Sequence, residues 1–224
     1  MAYWLLFNCG LLVIAYFLGS LATGYWIAKG FYGIDLREQG SGSTGATNVL
    51  RNCGKLPALV VLAVDLLKGT GSVTLVYLVY ALPFSQNLAA TAGITDLVSW
   101  SDWIATLAGL KALVGHTKSI WIGFKGGKAV ATGLGVLFGL NWILALVTLG
   151  IFLLFLSISR IVSLSSLAGA LGIAVLLVAA HQPLSYQIFG AVGAAYVFWR
   201  HQSNIQRLFQ GTEPKIGQKL QGEA

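Results

Sequence analysis

"GVLFGLNWILALVTLG", Gly135 to Gly150, is the stretch on which the threading of this chain turns. It is apolar apart from Asn141 and Thr148. Read as one long bent helix, it gives a six-span membrane protein. Read as two helices meeting at Asn141, it gives seven. Hydropathy alone leaves both open. Outward from it lie apolar segments at approximately 4–29, 57–82, 99–115, 128–140, 142–158, 163–180 and 184–199. A run of about 20 apolar residues is long enough to cross a bilayer. The fourth, fifth and seventh segments are short.

Charge arbitrates, because Lys and Arg concentrate in cytoplasmic loops facing the anionic leaflet. The first loop carries Arg37, Arg51 and Lys55, with Lys29 at its edge. The second, 83–98, has neither Lys nor Arg. Further on come Lys118, Lys125 and Lys128, then Arg160, then Arg200, Arg207, Lys215 and Lys219 in the tail. With seven spans all of these share one side, and only Lys68 and Lys111 lie inside segments. With six the pattern breaks after Asn141. The expected fold is therefore an all-α integral membrane protein: a seven-transmembrane-helix bundle, N-terminus outside, C-terminus cytoplasmic.

Composition agrees. Of 224 residues, 56% are hydrophobic and 9% charged, where a soluble domain carries about a quarter charged residues. The opening "MAYWLLFNCGLLVIAYFLG" lacks a signal peptide's basic start and is long enough to span, so it reads as a retained helix. One integral membrane domain over 1–224 is expected, with a cytoplasmic tail from about 200 to 224. Cys9 and Cys53 fall at opposite ends of the first membrane unit, which argues against a disulfide, and no metal-ligand spacing is present. The small residues of "GVLFG" (Gly135 to Gly139) and "GAVG" (Gly190 to Gly193) suit close helix packing.

Three polar stretches share the basic side. "GSGSTGATNVLR", Gly40 to Arg51, is too polar for lipid. Gly40, Gly42 and Gly45 let backbone N–H groups approach a ligand. Ser41, Ser43, Thr44 and Thr47 add hydroxyls, and Arg51 a forked cation. The set suits a phosphate. The plain alternative is a flexible loop with a topological arginine. "GHTKSIWIGFKGGKAVATG" brings Lys125, Gly126, Gly127 and Lys128 to the start of an apolar helix, an anion-binding arrangement or, more simply, topological lysines. It is not a Walker loop: Gly123 and Gly127 are separated by three residues where that pattern needs four, Ala129 follows the lysine, and no strand precedes it. In "RHQSNIQRLFQGTEPKIG", His201 and Asn204 share a helix face if the segment is helical. Arg160 with Ser163, Ser165 and Ser166, and the intramembrane Asp65 and Lys68, complete the polar inventory. A local Asp65–Lys68 pair is the simplest account of the last two.

These stretches, with "DLLKG", resemble in order and over nearly the whole chain the motifs of the bacterial acyl-phosphate-dependent glycerol-3-phosphate acyltransferases, the PlsY family. The resemblance implies a seven-helix enzyme of the bacterial inner membrane. It implies transfer of a fatty acyl group from acyl phosphate to the 1-hydroxyl of glycerol 3-phosphate, giving lysophosphatidic acid and phosphate. Carried over, Ser41 and Arg51 match the first motif, Gly126, Gly127 and Lys128 the second, and His201, Asn204 and a structural Glu213 the third. The implied catalytic set is His201, Asn204 and Ser41. The implied substrate-binding set is Gly40, Gly42, Asn48, Arg51, Lys125, Gly126, Gly127, Lys128, Ser163 and Ser165. The family commonly has Asn where Ser43 stands, Gly for Ala129 and Arg for Gln202. No cofactor or metal is expected. The expected partners are the two phosphorylated substrates and membrane lipid, not nucleic acid, and a monomer is the expected state.

Direct acyl transfer is the leading mechanism, since phosphate leaves readily and orientation with charge stabilisation suffices. The proton could go to His201 or to an acyl-phosphate oxygen. A covalent serine route would need a Ser-His-acid arrangement that is not readable here. An anion transporter would explain intramembrane charges, but the cationic motifs cluster on one face and no duplicated halves are visible. An acyl-CoA enzyme of the His-x4-Asp type is disfavoured, because Trp121, Tyr186 and Gln206 stand five residues after His116, His181 and His201.

Overall fold

A computed structural model describes residues 1–218; Lys219 and the remainder of the expected 200–224 tail lie outside the described residues. Those described are helical, with no strand among them. In chain order the α-helices are α1 (Ala2–Ser20), α2 (Thr23–Tyr32), α3 (Ala46–Cys53), α4 (Lys55–Tyr80), α5 (Pro83–Thr91) and α6 (Leu97–Thr117). There follow α7 (Val130–Leu140), α8 (Trp142–Ser159), α9 (Val162–Ala179), α10 (Leu184–Arg200) and α11 (Gln202–Phe209). Five stretches are long and apolar enough to cross a membrane: Ala2–Tyr32, Lys55–Tyr80, Leu97–Ile122, Trp142–Ser159 and Val162–Ala179.

The break at Asn141 is real. Asn141 is extended (φ −154°, ψ 99°), so no helix runs through it. Its N–H donates to Leu137 O at 2.7 Å, closing α7. Its side-chain oxygen accepts from Leu144 N at 3.1 Å, starting α8. One residue caps two helices, and its remaining N–H group donates to Gln182 Oε1 at 2.9 Å. The helix it closes has 11 residues, about 16 Å at 1.5 Å per residue, well short of a roughly 30 Å hydrocarbon core.

Hydrogen bonds sort the helix ends into two faces. At one, the α1–α2 break meets α4 through Lys68 Nζ to Leu21 O, 3.0 Å, and Ser119, past the end of α6, donates to Ser20 O at 2.6 Å. The start of α9 joins the segment after α11 through Ser163 and Glu213. At the other, Tyr80 donates to Asn8 Oδ1 at 2.5 Å, Tyr77 and Tyr186 both donate to Asp102 Oδ1, and Trp4 packs on Tyr80 and Trp100.

Close helix packing uses the small residues read in the sequence. A Cβ on Gly135 would run into the Leu66 backbone, and one on Gly69 into that of Thr132, so α4 and α7 touch main chain to main chain. Gly19 and Gly115 do the same for α1 against α6. In membranes such contacts replace the hydrophobic drive that lipid removes. Gly193 has room, its nearest contact being Leu113 at 3.9 Å.

Three features depart from the sequence reading. The expected 4–29 helix is broken at Leu21–Ala22. The 83–98 loop contains α5, begun by Pro83 in the first turn, where its missing N–H costs nothing. Arg51 sits on a short helix, α3, and not in an open loop.

Candidate active site

The turn from α6 into α7 supplies the first element. Gly127 N–H donates to His116 O at 3.2 Å, resting the turn on the end of α6. Gly127 O accepts from Arg200 Nη2 at 3.1 Å, tying the same residue to α10. With both sides of that residue fixed, Lys128 projects to Asn204 Oδ1 at 2.6 Å. Asn204 Nδ2 donates to Glu213 Oε1 at 2.7 Å, which also accepts from Ser163 Oγ at 2.7 Å. Arg207 Nε donates to Glu213 Oε2 at 2.6 Å. Glu213 is buried and is the hub that gathers α9, α11 and, through Asn204, Lys128.

The electrostatics follow. Burial, with Arg207, Arg51 and Arg200 nearby and Glu213 opposing, pushes Lys128 down from 10.5 to about 8. Burial alone would raise Glu213, but hydrogen bonds from Asn204, Ser163 and Arg207 hold it below its ordinary value. Burial pushes His201 down from 6.5 to about 4, against the hydrogen bond to Val197. That ring is therefore neutral near pH 7. Its Nδ1–H donates to Val197 O at 2.8 Å, so Nε2 carries the lone pair and can accept. His201 is the hinge between α10 and α11, and both it and Asn204 are buried.

The first loop is built around Asn48. Its amide nitrogen donates to Leu36 O, Gln39 O and Ser43 O at 3.2, 2.9 and 2.9 Å. Its oxygen accepts from Ser41 N and from Asn52 Nδ2, each at 3.2 Å. Gly40 and Gly42 have φ of +58° and +65°, where a side chain is strained, and a Cβ on Gly40 would strike Asn48 Oδ1. Arg37 Nη1 donates to Ile122 O at 3.2 Å, clasping this loop to the next. Asp35 holds Arg37 at 2.6 Å. The direct hydrogen bond and the charge of Arg37 lower Asp35 to about 2, although partial burial works the other way.

The structure thus gathers Lys128, Asn204, Ser163 and Glu213 into one bonded chain, with Arg51 close enough to act on Lys128 and His201 on the adjoining hinge. Ser41 is held by its backbone on the loop that α3 secures. Asn48, Ser165, Lys125 and the glycine pair stand outside that bonded chain. The Asn48 amide is engaged by the loop's own carbonyls and N–H groups. Ser165 donates to Ile161 O at the start of α9 and is buried. Lys125 is exposed and outside the bonded chain. Cβ atoms on Gly126 and Gly127 would meet His116, so the pair allows close contact with α6. In sequence, Arg200 and Arg207 are only tail charges and His116 only a histidine without an aspartate five residues on. The one available signal was the run of cations flanking His201.

Beneath this polar chain lies a partly open apolar groove. Val197, whose carbonyl holds His201, and Ala129, next to Lys128, line its upper end. Leu134, Phe152, Ile173 and Phe189 line the remainder, and Thr148 and Ser166 are its polar wall residues.

The family model described as Glycerol-3-phosphate acyltransferase matches residues 9–211. A glycerol-3-phosphate acyltransferase of Trichodesmium erythraeum is 55% identical over 220 residues, 98% of this chain and 96% of that one. One from a Nostoc species is 51% identical with the same coverage. The crystal structure of PlsY (YgiH), an integral membrane glycerol 3-phosphate acyltransferase, in its glycerol 3-phosphate form superposes with a TM-score of 0.79 at 35% identity. It covers 94% of this chain and 96% of its own. Its lysophosphatidic acid form gives 0.76 at 33%, covering 94% and 95%.

Proposed function

The chain belongs to the glycerol-3-phosphate acyltransferase family, and from that premise we propose that it transfers a fatty acyl group from acyl phosphate to the 1-hydroxyl of glycerol 3-phosphate. The products are lysophosphatidic acid and inorganic phosphate. The observation that carries this reading is the meeting of a cation-rich polar chain with the upper end of an apolar groove. The first suits phosphate, the second a fatty chain. Lys128, Arg51 and the N–H groups around Ser41 oppose the phosphate charges. Asn48 and Glu213 hold those groups in place.

The hydroxyl oxygen attacks the acyl carbonyl carbon, the bond from that carbon to the phosphate oxygen breaks, and phosphate leaves with the electron pair. Neutral His201 accepts the hydroxyl's hydrogen bond at Nε2 and aims its lone pair. With a pKa of about 4, His201 is a weak proton store beside a phosphate whose second pKa is about 6. The proton therefore passes to the leaving phosphate. Orientation and charge stabilisation supply the rate, with no covalent enzyme intermediate.

The same reading places the polar chain at the cytoplasmic face of a bacterial inner membrane. Seven passes, with the N-terminus outside, put every basic loop on that side. Short α7 completes its pass with the 118–129 turn packed above it.

The test supplies acyl phosphate or acyl-CoA separately to purified protein with glycerol 3-phosphate in chelator. Phosphate release and acylated product are expected with acyl phosphate alone. Turnover with acyl-CoA alone, or an absolute need for a divalent ion, contradicts the proposal.

A further inference from the structure

Three ionisable side chains lie where that mechanism does not use them. Asp65 and Lys68 on α4 and His116 on α6 are 3%, 5% and 7% exposed. Asp65 Oδ1 is 2.8 Å from Lys68 Nζ and 3.5 Å from His116 Nδ1. Ionisable groups inside membrane helices are costly and mark function more often than stability. A buried ion pair is by itself weak evidence for stability. Nor do these groups reach the polar chain directly, because Gly127 covers the Nε2 edge of His116 so closely that a Cβ there would overlap it.

What they do reach is both ends of the turn that carries Lys128. Lys68 donates to Leu21 O at 3.0 Å, satisfying a carbonyl left open by the α1–α2 break. Ser20, beside that carbonyl, accepts from Ser119 Oγ at its backbone oxygen (2.6 Å) and from Trp121 Nε1 at its hydroxyl (2.8 Å). That anchors the entry to the turn. His116 anchors the exit, accepting Gly127 N–H on its carbonyl and filling the space under Gly127 with its ring. Asp65 joins the two anchors.

We propose that Asp65, Lys68 and His116 are positioning residues for glycerol-3-phosphate binding, setting the height and direction of Lys128 through the 118–128 turn. This rests on the reading of Lys128 as a phosphate ligand. An error of about 1 Å in such a group costs up to about a hundredfold in rate or binding.

The test uses the full chain in detergent, with acyl phosphate and glycerol 3-phosphate. His116→Gln keeps a polar side chain and the ion pair but loses the ring beneath Gly127. Asp65→Asn/Lys68→Gln removes both charges together, so neither is left unpaired. Both are compared with Lys128→Met by chromatographic profile, melting temperature, KM and kcat. A folded cluster variant is expected to raise the glycerol-3-phosphate KM by about tenfold, with a smaller change in kcat. His116→Gln/Lys128→Met is expected to be no worse than Lys128→Met alone, a coupling that a purely stabilising role would not produce. Wild-type KM in folded cluster variants, or losses that add in the double variant, overturns the inference alone. Wild-type KM in Lys128→Met removes the site reading and this inference with it. Loss of fold in both cluster variants assigns the cluster to stability and overturns the proposal.

Discussion

At the scale of single residues, Lys128 links pH to binding and to stability with opposite signs. Its folded value of about 8 lies below its ordinary 10.5. Between those values the unfolded chain binds more protons than the folded one, so the unliganded protein gains stability as pH rises from about 8 to 10.5. Over the same range the ammonium proposed to hold phosphate is lost. The glycerol-3-phosphate KM is therefore expected to climb above pH 8 while the melting temperature rises, and Lys128→Met is expected to flatten both curves. His201 acts at the other end. Its value is lowered from 6.5 to about 4, so the stability held above 6.5 is lost as pH falls towards 4. Ala129 is a second informative residue. It caps α7 at φ +64° and is fully buried. The left-handed conformation costs an alanine about 1 kcal/mol, whereas its buried methyl contributes about 0.8 kcal/mol. Ala129→Gly should therefore be nearly neutral. Ala129→Val, β-branched in the same conformation, should cost about 2 kcal/mol or more. Equilibrium unfolding in detergent reads both.

At the scale of elements, the contact of α4 with α7 is the most exacting. Gly135→Ala puts a methyl into the Leu66 backbone, and overpacking of this kind costs about 1–3 kcal/mol. Gly193→Ala, with its nearest neighbour 3.9 Å away, is expected to leave the melting temperature almost unchanged. Equal effects would show that α4 and α7 can separate freely. The elements also show what a sequence can and cannot disclose. Apolar length and glycine content made the long helices legible, and Asn141 marked the α7–α8 break by its polarity. The α1–α2 break was hidden, since "GSLATG" contains no proline and its open carbonyl is met by Lys68, 47 residues away. Within the site, Lys128, Asn204 and Glu213 stood out by motif. The hydrogen bonds by which Asn48 holds its loop and the contact of the glycine pair with His116 were not legible, because their partners are set by the fold and not by the motif. His116 could not be read, since its partners lie on other helices.

At the scale of the whole molecule, the net charge of +7 is distributed unevenly. Its hydrogen-bonded ends place Lys128, Arg200, Arg207 and the Lys68 anchor at one face, with the Tyr77–Asp102–Tyr186 cluster and the Asn141 cap at the other. A bilayer with an anionic inner leaflet is expected to select the orientation in which the cationic face is cytoplasmic. Under the proposed function, that orientation would open the site to water-soluble glycerol 3-phosphate inside the cell, with the apolar groove taking the donor's chain. Single cysteines at Glu38 and Gln86, both exposed, placed in a Cys9→Ala/Cys53→Ala background, decide it. In intact cells an impermeant thiol reagent is expected to label position 86 and to reach position 38 only after the inner membrane is opened. Labelling of 38 from outside would reverse the bundle, put the cations proposed to bind phosphate on the wrong side of the membrane for the proposed intracellular substrate, and separate this chain's topology from the charge rule that predicts it.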